Sequence, residues 1–209
     1  MTSPALRQLT TPRAAAVAGV LFALLFGAAL ILIRTALPEG APEGSQWVDH
    51  GHHIKAASIL IPFAGIAFLW FIGVVRDGFG GFEDKFFSSV FIGSGLLFLA
   101  MIFVSSGVGV ALTHSSGDVA VFGQTLLLTL TKTYALRMAA VFMMSLATIW
   151  LKTGLMPRWL VVVTYLAAVG LMVSADINVW LTLAFPIWVL VVSVLLLNRA
   201  GVIDLDRNE

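Results

Sequence analysis

Six long apolar runs, parted by short polar stretches, constrain this chain more than any other feature. They cover residues 14–33, 54–75, 86–112, 134–151, 160–174 and 179–197. A helix needs about 20 apolar residues to cross the hydrocarbon core of a bilayer, and most of the runs come close to that. Charged residues make up 11% of the chain and hydrophobic ones 59%, whereas soluble domains carry about a quarter charged residues. A water-soluble fold of 209 residues has no means of hiding so much apolar surface. The expected fold class is therefore all-α, a single integral membrane domain built as a six-helix transmembrane bundle. The third run is long enough to tilt or protrude. The fifth is short, and only Ala175, Asp176, Ile177 and Asn178 separate it from the sixth. Those two are expected to pair as a tight antiparallel hairpin, with Asn178 as N-cap.

Orientation follows from Lys and Arg in the connections. With the N-terminus inside, Arg7, Arg13, Arg76, Lys85, Lys152, Arg158, Arg199 and Arg207 fall on the inner side, and Arg34, Lys55, Lys132 and Arg137 on the outer side. Eight against four places both termini in the cytoplasm. The first run exceeds the usual core of a signal peptide and no A-x-A-like site follows it, so a retained anchor is expected. A net charge of +1 offers no dense basic face for nucleic acid. Without cysteine there is no disulfide, thiolate nucleophile or thiolate metal site.

Local patterns refine this picture. Ala15, Gly19, Ala23 and Gly27 recur at every fourth position of the first run, a smooth face suited to close helix packing. It suits a homo-oligomer contact or, as we expect, packing within the bundle. In RDGFGGFEDK (76–85), Arg76 suits a helix C-terminus, Gly78 the position beyond it, and Glu83 and Asp84 the next N-terminus. The stretch meets neither a dinucleotide fingerprint nor a Walker pattern. Residues 119–131 read either as an interfacial helix or as an outer extension of the fourth run. Lys132, Tyr134 and Arg137 follow, and Arg137 is the deepest charge in this alignment, about one turn inside the outer boundary and within snorkelling reach of water. Met138, Met143 and Met144 read as gap-filling core residues. Pro62 and Pro186, inside the second and sixth runs, are expected to bend their helices.

YALRMAA at 134–140, TGLMPRWL at 153–160 and FPIWVL at 185–190 carry a resemblance. The chain resembles a group of uncharacterised actinobacterial multi-pass membrane proteins of unknown function, in which a helix with this Arg is followed by a turn ending Pro-Arg-Trp-Leu. The likeness covers the last three runs, and the first half only by hydropathy. It implies a six-helix protein of the bacterial cytoplasmic (plasma) membrane and transfers no functional residue.

Aqueous chemistry, if present, centres on WVDHGHHIK (47–55). All four histidines, His50, His52, His53 and His114, fall on the outer side together with Asp49, Asp118 and Asp176. Imidazole and carboxylate ligands suit zinc or another first-row divalent ion, which makes His50, His53, His114 and Asp176 a candidate metal set. The plainer expectation is a solvated helix entrance capped by Asp49, with no cofactor. Other templates fail: no G-x-S-x-G elbow, no histidine pair within a span for haem, no mid-membrane carboxylate relay and no TVGYG-like filter. Three function classes remain, in order: a non-enzymatic accessory or structural membrane protein, a small-molecule or ion permease using Ser94, Ser105, Ser145, Thr148 and Thr164, and a metal-dependent membrane enzyme with an outer-face His/Asp site. In each the bilayer is the solvent.

Overall fold

The computed structural model describes residues 4–36, 51–77, 85–174 and 179–199, with side chains over 16–36, 51–77, 85–173 and 181–198. Apart from the turns at 113–117 and 154–157, every described residue is helical. The elements are α1 (Pro4–Ala36), α2 (Gly51–Asp77), α3 (Lys85–Leu112), α4 (Asp118–Leu128), a π-helical segment (Thr129–Ala135), α5 (Leu136–Thr153), α6 (Arg158–Ser174), a 3-10 turn (Val179–Leu183) and α7 (Ala184–Arg199). Five stretches are long and apolar enough to cross a membrane: Ala16–Ala36, Gly51–Asp77, Lys85–Leu112, Asp118–Thr153 and Leu181–Asn198. The exception is α6. Its 17 residues rise about 25 Å, short of a hydrocarbon core of about 30 Å. The six expected crossings thus become five long helices and one short one.

Helix ends follow local chemistry. Arg76 lies in the last turn of α2, as a cation near a C-terminal dipole should. α5 stops at Gly154, whose φ of 66° is left-handed and whose N–H donates to the Trp150 carbonyl at 2.9 Å, the standard glycine exit from a helix. Pro62 lies within α2 and is exposed. Pro186 differs from expectation. It occupies the first turn of α7, where no intrahelical bond is lost, so it starts that helix instead of bending it. Gly78, Glu83, Asp84 and Asn178 lie outside the described residues.

Packing pairs α1 with α2 and α7, α3 with α2 and α5, and α6 with α5. The expected α6–α7 hairpin is therefore loose: each leans mainly on another helix. The two meet where the buried Trp188 Nε1 donates to the buried Thr164 Oγ1 at 2.9 Å. The long hydrophobic helices reach one another because glycines remove side chains at crossings. A Cβ on Gly95 would stand 2.7 Å from Ile72 Cδ1 and 3.2 Å from Phe142 Cδ2.

Aromatic rings fill the middle. The fully buried Phe22, Phe68, Phe98, Phe142 and Phe185 come from five different helices. Their centroids lie 4.6 Å apart for Phe22–Phe68, 5.4 Å for Phe68–Phe98, 4.9 Å for Phe98–Phe185 and 5.2 Å for Phe68–Phe142. Most of these pairs are edge-on or tilted, the arrangements ring quadrupoles favour. Burial from five directions makes this one continuous core. Gly19 facing Ser193, and Phe22 against Phe185, set α1 antiparallel to α7. The start of α1 and the end of α7 consequently share one end of the bundle.

Candidate functional site

The end of the bundle formed by the start of α2 and the end of α3, the one expected to be outer, holds the described histidines. His52 is exposed and His53 half-buried, with ring centroids 4.2 Å apart. His114 is exposed, and its Nδ1 lies 2.9 Å from Thr113 Oγ1 and 3.3 Å from the Val110 carbonyl. That ring is folded onto its own helix. A Cβ on Gly51 would touch Thr113 Cγ2 at 4.0 Å, so α2 and α3 bring these imidazoles to the same end. Among the described residues, no group of three or more His, Cys, Asp or Glu side chains is arranged to hold a metal. His50 and Asp176 of the expected set, and the expected cap Asp49, lie outside the described residues. The described part of the set is therefore His53, which lies beside His52, and His114, held by Thr113.

The second candidate is the basic stretch that begins with Lys132. Residues 118–153 form one uninterrupted rod of α4, π segment and α5, so the extension reading of 119–131 describes it. The rod runs antiparallel to α3 along its whole length. A Cβ on Gly109 would meet Leu127 Cδ1 at 3.3 Å and one on Gly95 would meet Phe142 at 3.2 Å. Lys152 Nζ lies 4.5 Å above the Phe87 ring near the start of α3. Counting between these contacts puts Arg137 opposite residues 99–100, the middle of α3. The outer end of α3 at Leu112 is then about 18 Å higher at the helical rise. Arg137 thus lies opposite the middle of α3, and the apolar helix that carries it starts at Asp118 and not at 134.

Two features accommodate the charge. Arg137, Val141, Met144 and Thr148 fall on one helical face by their spacing, and all four are half-buried. Thr148 Oγ1 donates to the Met144 carbonyl at 2.8 Å and lies 2.6 Å from the Tyr165 hydroxyl of α6, which must then donate in return. That bond fixes α6 against this face. From Tyr165, α6 climbs nine more residues and ends about level with Arg137. The negative end of its helix dipole therefore lies about level with position 137, on the side where a cation is favoured. The π segment is the other feature. Thr131 is buried and donates to the Leu127 carbonyl at 2.7 Å, while Lys132 and Thr133 are half-buried and Tyr134 is 53% exposed. Seven residues of i→i+5 winding often mark a functional position. Nothing in TLTKTYA announces it, since no Pro or Gly interrupts the run.

The hydroxyls expected to line a permeation path are mostly turned onto their own helices. Ser94 donates to the Val90 carbonyl at 2.7 Å and Ser105 to the Ile102 carbonyl at 2.9 Å. Ser145 is buried, and Thr164 accepts from Trp188. Ser105 and Ser106 border a small, mostly apolar crevice of about 10 Å³ between Ile33, Ile54, Ser58 and Leu127. Of the four-residue stripe on α1, Gly19 faces Phe71 and Ser193, and Ala23 is buried, so both serve packing inside the bundle. Gly27 meets nothing within 4 Å, and the side chain of Ala15 lies outside the described residues. No family model, curated protein or solved structure matches this chain.

Proposed function

We propose that this chain is a non-enzymatic accessory or structural protein of a bacterial cytoplasmic membrane, with six membrane helices and both termini on the cytoplasmic side. One observation carries the reading. The centre of the bundle, where a permease would keep a polar route, is occupied by Phe22, Phe68, Phe98, Phe142 and Phe185 in mutual contact. Transport sites near mid-membrane use broken helices and polar or ionisable groups facing a cavity. Here the hydroxyls closest to the core are satisfied by backbone carbonyls of their own helices. The eight-to-four bias of Lys and Arg supports the orientation.

The test is solute flux. Full-length protein in sealed vesicles should pass sodium, potassium, protons and small anions no faster than protein-free vesicles. Flux above that level, lost when Ser105→Leu narrows the crevice, would replace this reading with the permease. Zinc, copper or iron retained by protein purified without chelator, and lost in His53→Ala, would replace it with the metal enzyme.

A further inference from the structure

The α4–π–α5 rod changes its winding over Thr129–Ala135, and the same place is a seam in the packing. Below it, Ala135, Leu136, Ala139 and Phe142 belong to the main core. Above it, Ala120 and Leu127 join Ala36, Ile54 and Leu112 in a separate small cluster. Among the described residues, only the half-buried Ile33 packs against both clusters. α1, α2 and α3 continue as α-helix on both sides of the seam, whereas the rod does not. Outside the rod, α3 is the main described neighbour of α4, and the two meet at glycines. A Cβ on Gly109 would meet Leu127 Cδ1 at 3.3 Å, and one on Gly123 would stand 2.5 Å from Leu112 Cδ2. Leu127 sits between Leu126 and Leu128, both half-buried. A roll of α4 by one residue, about 100°, therefore exchanges leucine for leucine against Gly109. Gly123 opposes the roll. Its missing side chain leaves room for Leu112, and a roll brings Phe122 or Gln124 there instead, which makes the observed orientation the favoured one.

We infer that α4 rolls between two orientations about the π segment, with the observed one as the major state. Packed interfaces change between discrete arrangements and do not deform continuously, and the run of three leucines supplies a second arrangement one residue away. Wide turns of this kind recur at functional positions. The roll replaces one wall of the crevice that Leu127 lines with Ile33, Ile54, Ser105 and Gly109. It also carries the exposed Val119 and Phe122 to a new bearing on the bundle surface, while the main core stays fixed. The inference does not depend on the accessory reading, since every contact it uses lies between described residues of this chain.

The experiment uses full-length protein in phosphatidylcholine vesicles, with nitroxide labels at Val104→Cys in α3 and Phe122→Cys in α4. Both positions are exposed, and the chain has no cysteine of its own. A 100° roll moves a side chain carried about 5–6 Å from the helix axis by about 8 Å. Pulsed dipolar spectroscopy is expected to give two label-to-label distances, with about a tenth of the molecules in the minor one. Val104→Cys with Leu151→Cys, which relates α3 to α5 below the seam, should give one. Gly123→Val crowds Leu112 in the observed orientation. It should raise the minor population several-fold and leave the Val104–Leu151 distance unchanged. Gly123→Ala pushes less strongly in the same direction and serves if Gly123→Val does not fold. A second population that grows on these substitutions supports the roll, even where it is too small to see in the unsubstituted protein. A single, unchanged Val104–Phe122 distance in all of these proteins overturns the proposal. A second distance that substitution of Gly123 leaves unaltered, or that appears equally for Val104–Leu151, overturns it as well.

Discussion

Gly19 marks where α1 meets both of its neighbours. A Cβ there would run into Ser193 and stand 2.8 Å from Phe71 Cδ2. Gly19→Leu should destabilise the bundle by about 1–3 kcal/mol or more, the usual cost of overpacking, read as a lower midpoint in denaturant titration in micelles. Gly27→Ala, with open space around it, should be neutral or stabilising by up to about 1 kcal/mol through helix propensity. The two results together separate steric from propensity effects. Trp188→Phe removes the bond to Thr164, and about 0.6–2 kcal/mol should be lost, the range for buried polar contacts between membrane helices. Spacing in the sequence identified residues 15, 19, 23 and 27 as a packing face. It left the partner open, because Ser193 and Phe71 are more than 50 residues away in the chain and only the fold brings them to Gly19. At the outer histidines, residue type was legible but grouping was not. His114 is committed to Thr113 and Val110 at the end of its own helix, a local contact that spacing from His53 does not encode.

At the scale of elements, the π segment decides how the rod faces α3. It lies between Leu127, which packs on Gly109, and Phe142, which packs on Gly95 and stacks on Phe91 with centroids 4.5 Å apart. Deleting Thr133 should convert the segment to ordinary α-winding and turn α4 by about 100° relative to α5. Leu127 would then leave α3. Paired cysteines at Gly109 and Leu127 should crosslink efficiently in the otherwise cysteine-free chain, and the deletion should lower that yield several-fold. Helix existence was legible because apolar runs of about 20 residues have few alternatives in a membrane. The π winding was not, since its residues have ordinary helix propensities and the extra residue is absorbed only to satisfy contacts at both ends of a long rod. The same blind spot hid how far the rod extends before Arg137: Leu127 and Thr131 are already buried well before Tyr134.

At the scale of the molecule, the helix count and direction set the topology. The turn at 113–117 and the turn at 154–157 lie at opposite ends of α3 and its antiparallel rod. Exposed positions in each provide a test of orientation. Ser116→Cys should react with a membrane-impermeant maleimide in intact cells, and Leu155→Cys only after permeabilisation; the reverse pattern would invert the bundle. The apolar runs in the sequence matched the all-helical fold and its five long helices, while the shortness of the fifth run needed the Thr148–Tyr165 contact before its end could be located in height. That shortness has a consequence for the surrounding lipid. α3 rises about 42 Å over its 28 residues and α6 only about 25 Å over 17, so the hydrophobic belt is uneven around the perimeter. Lipid beside α6 must thin or tilt to meet it, at a cost of a fraction of a kcal/mol per Å of mismatch. The protein should accordingly be more stable in vesicles of short-chain than of long-chain lipids, and in a mixed membrane it should gather where the bilayer is already thin.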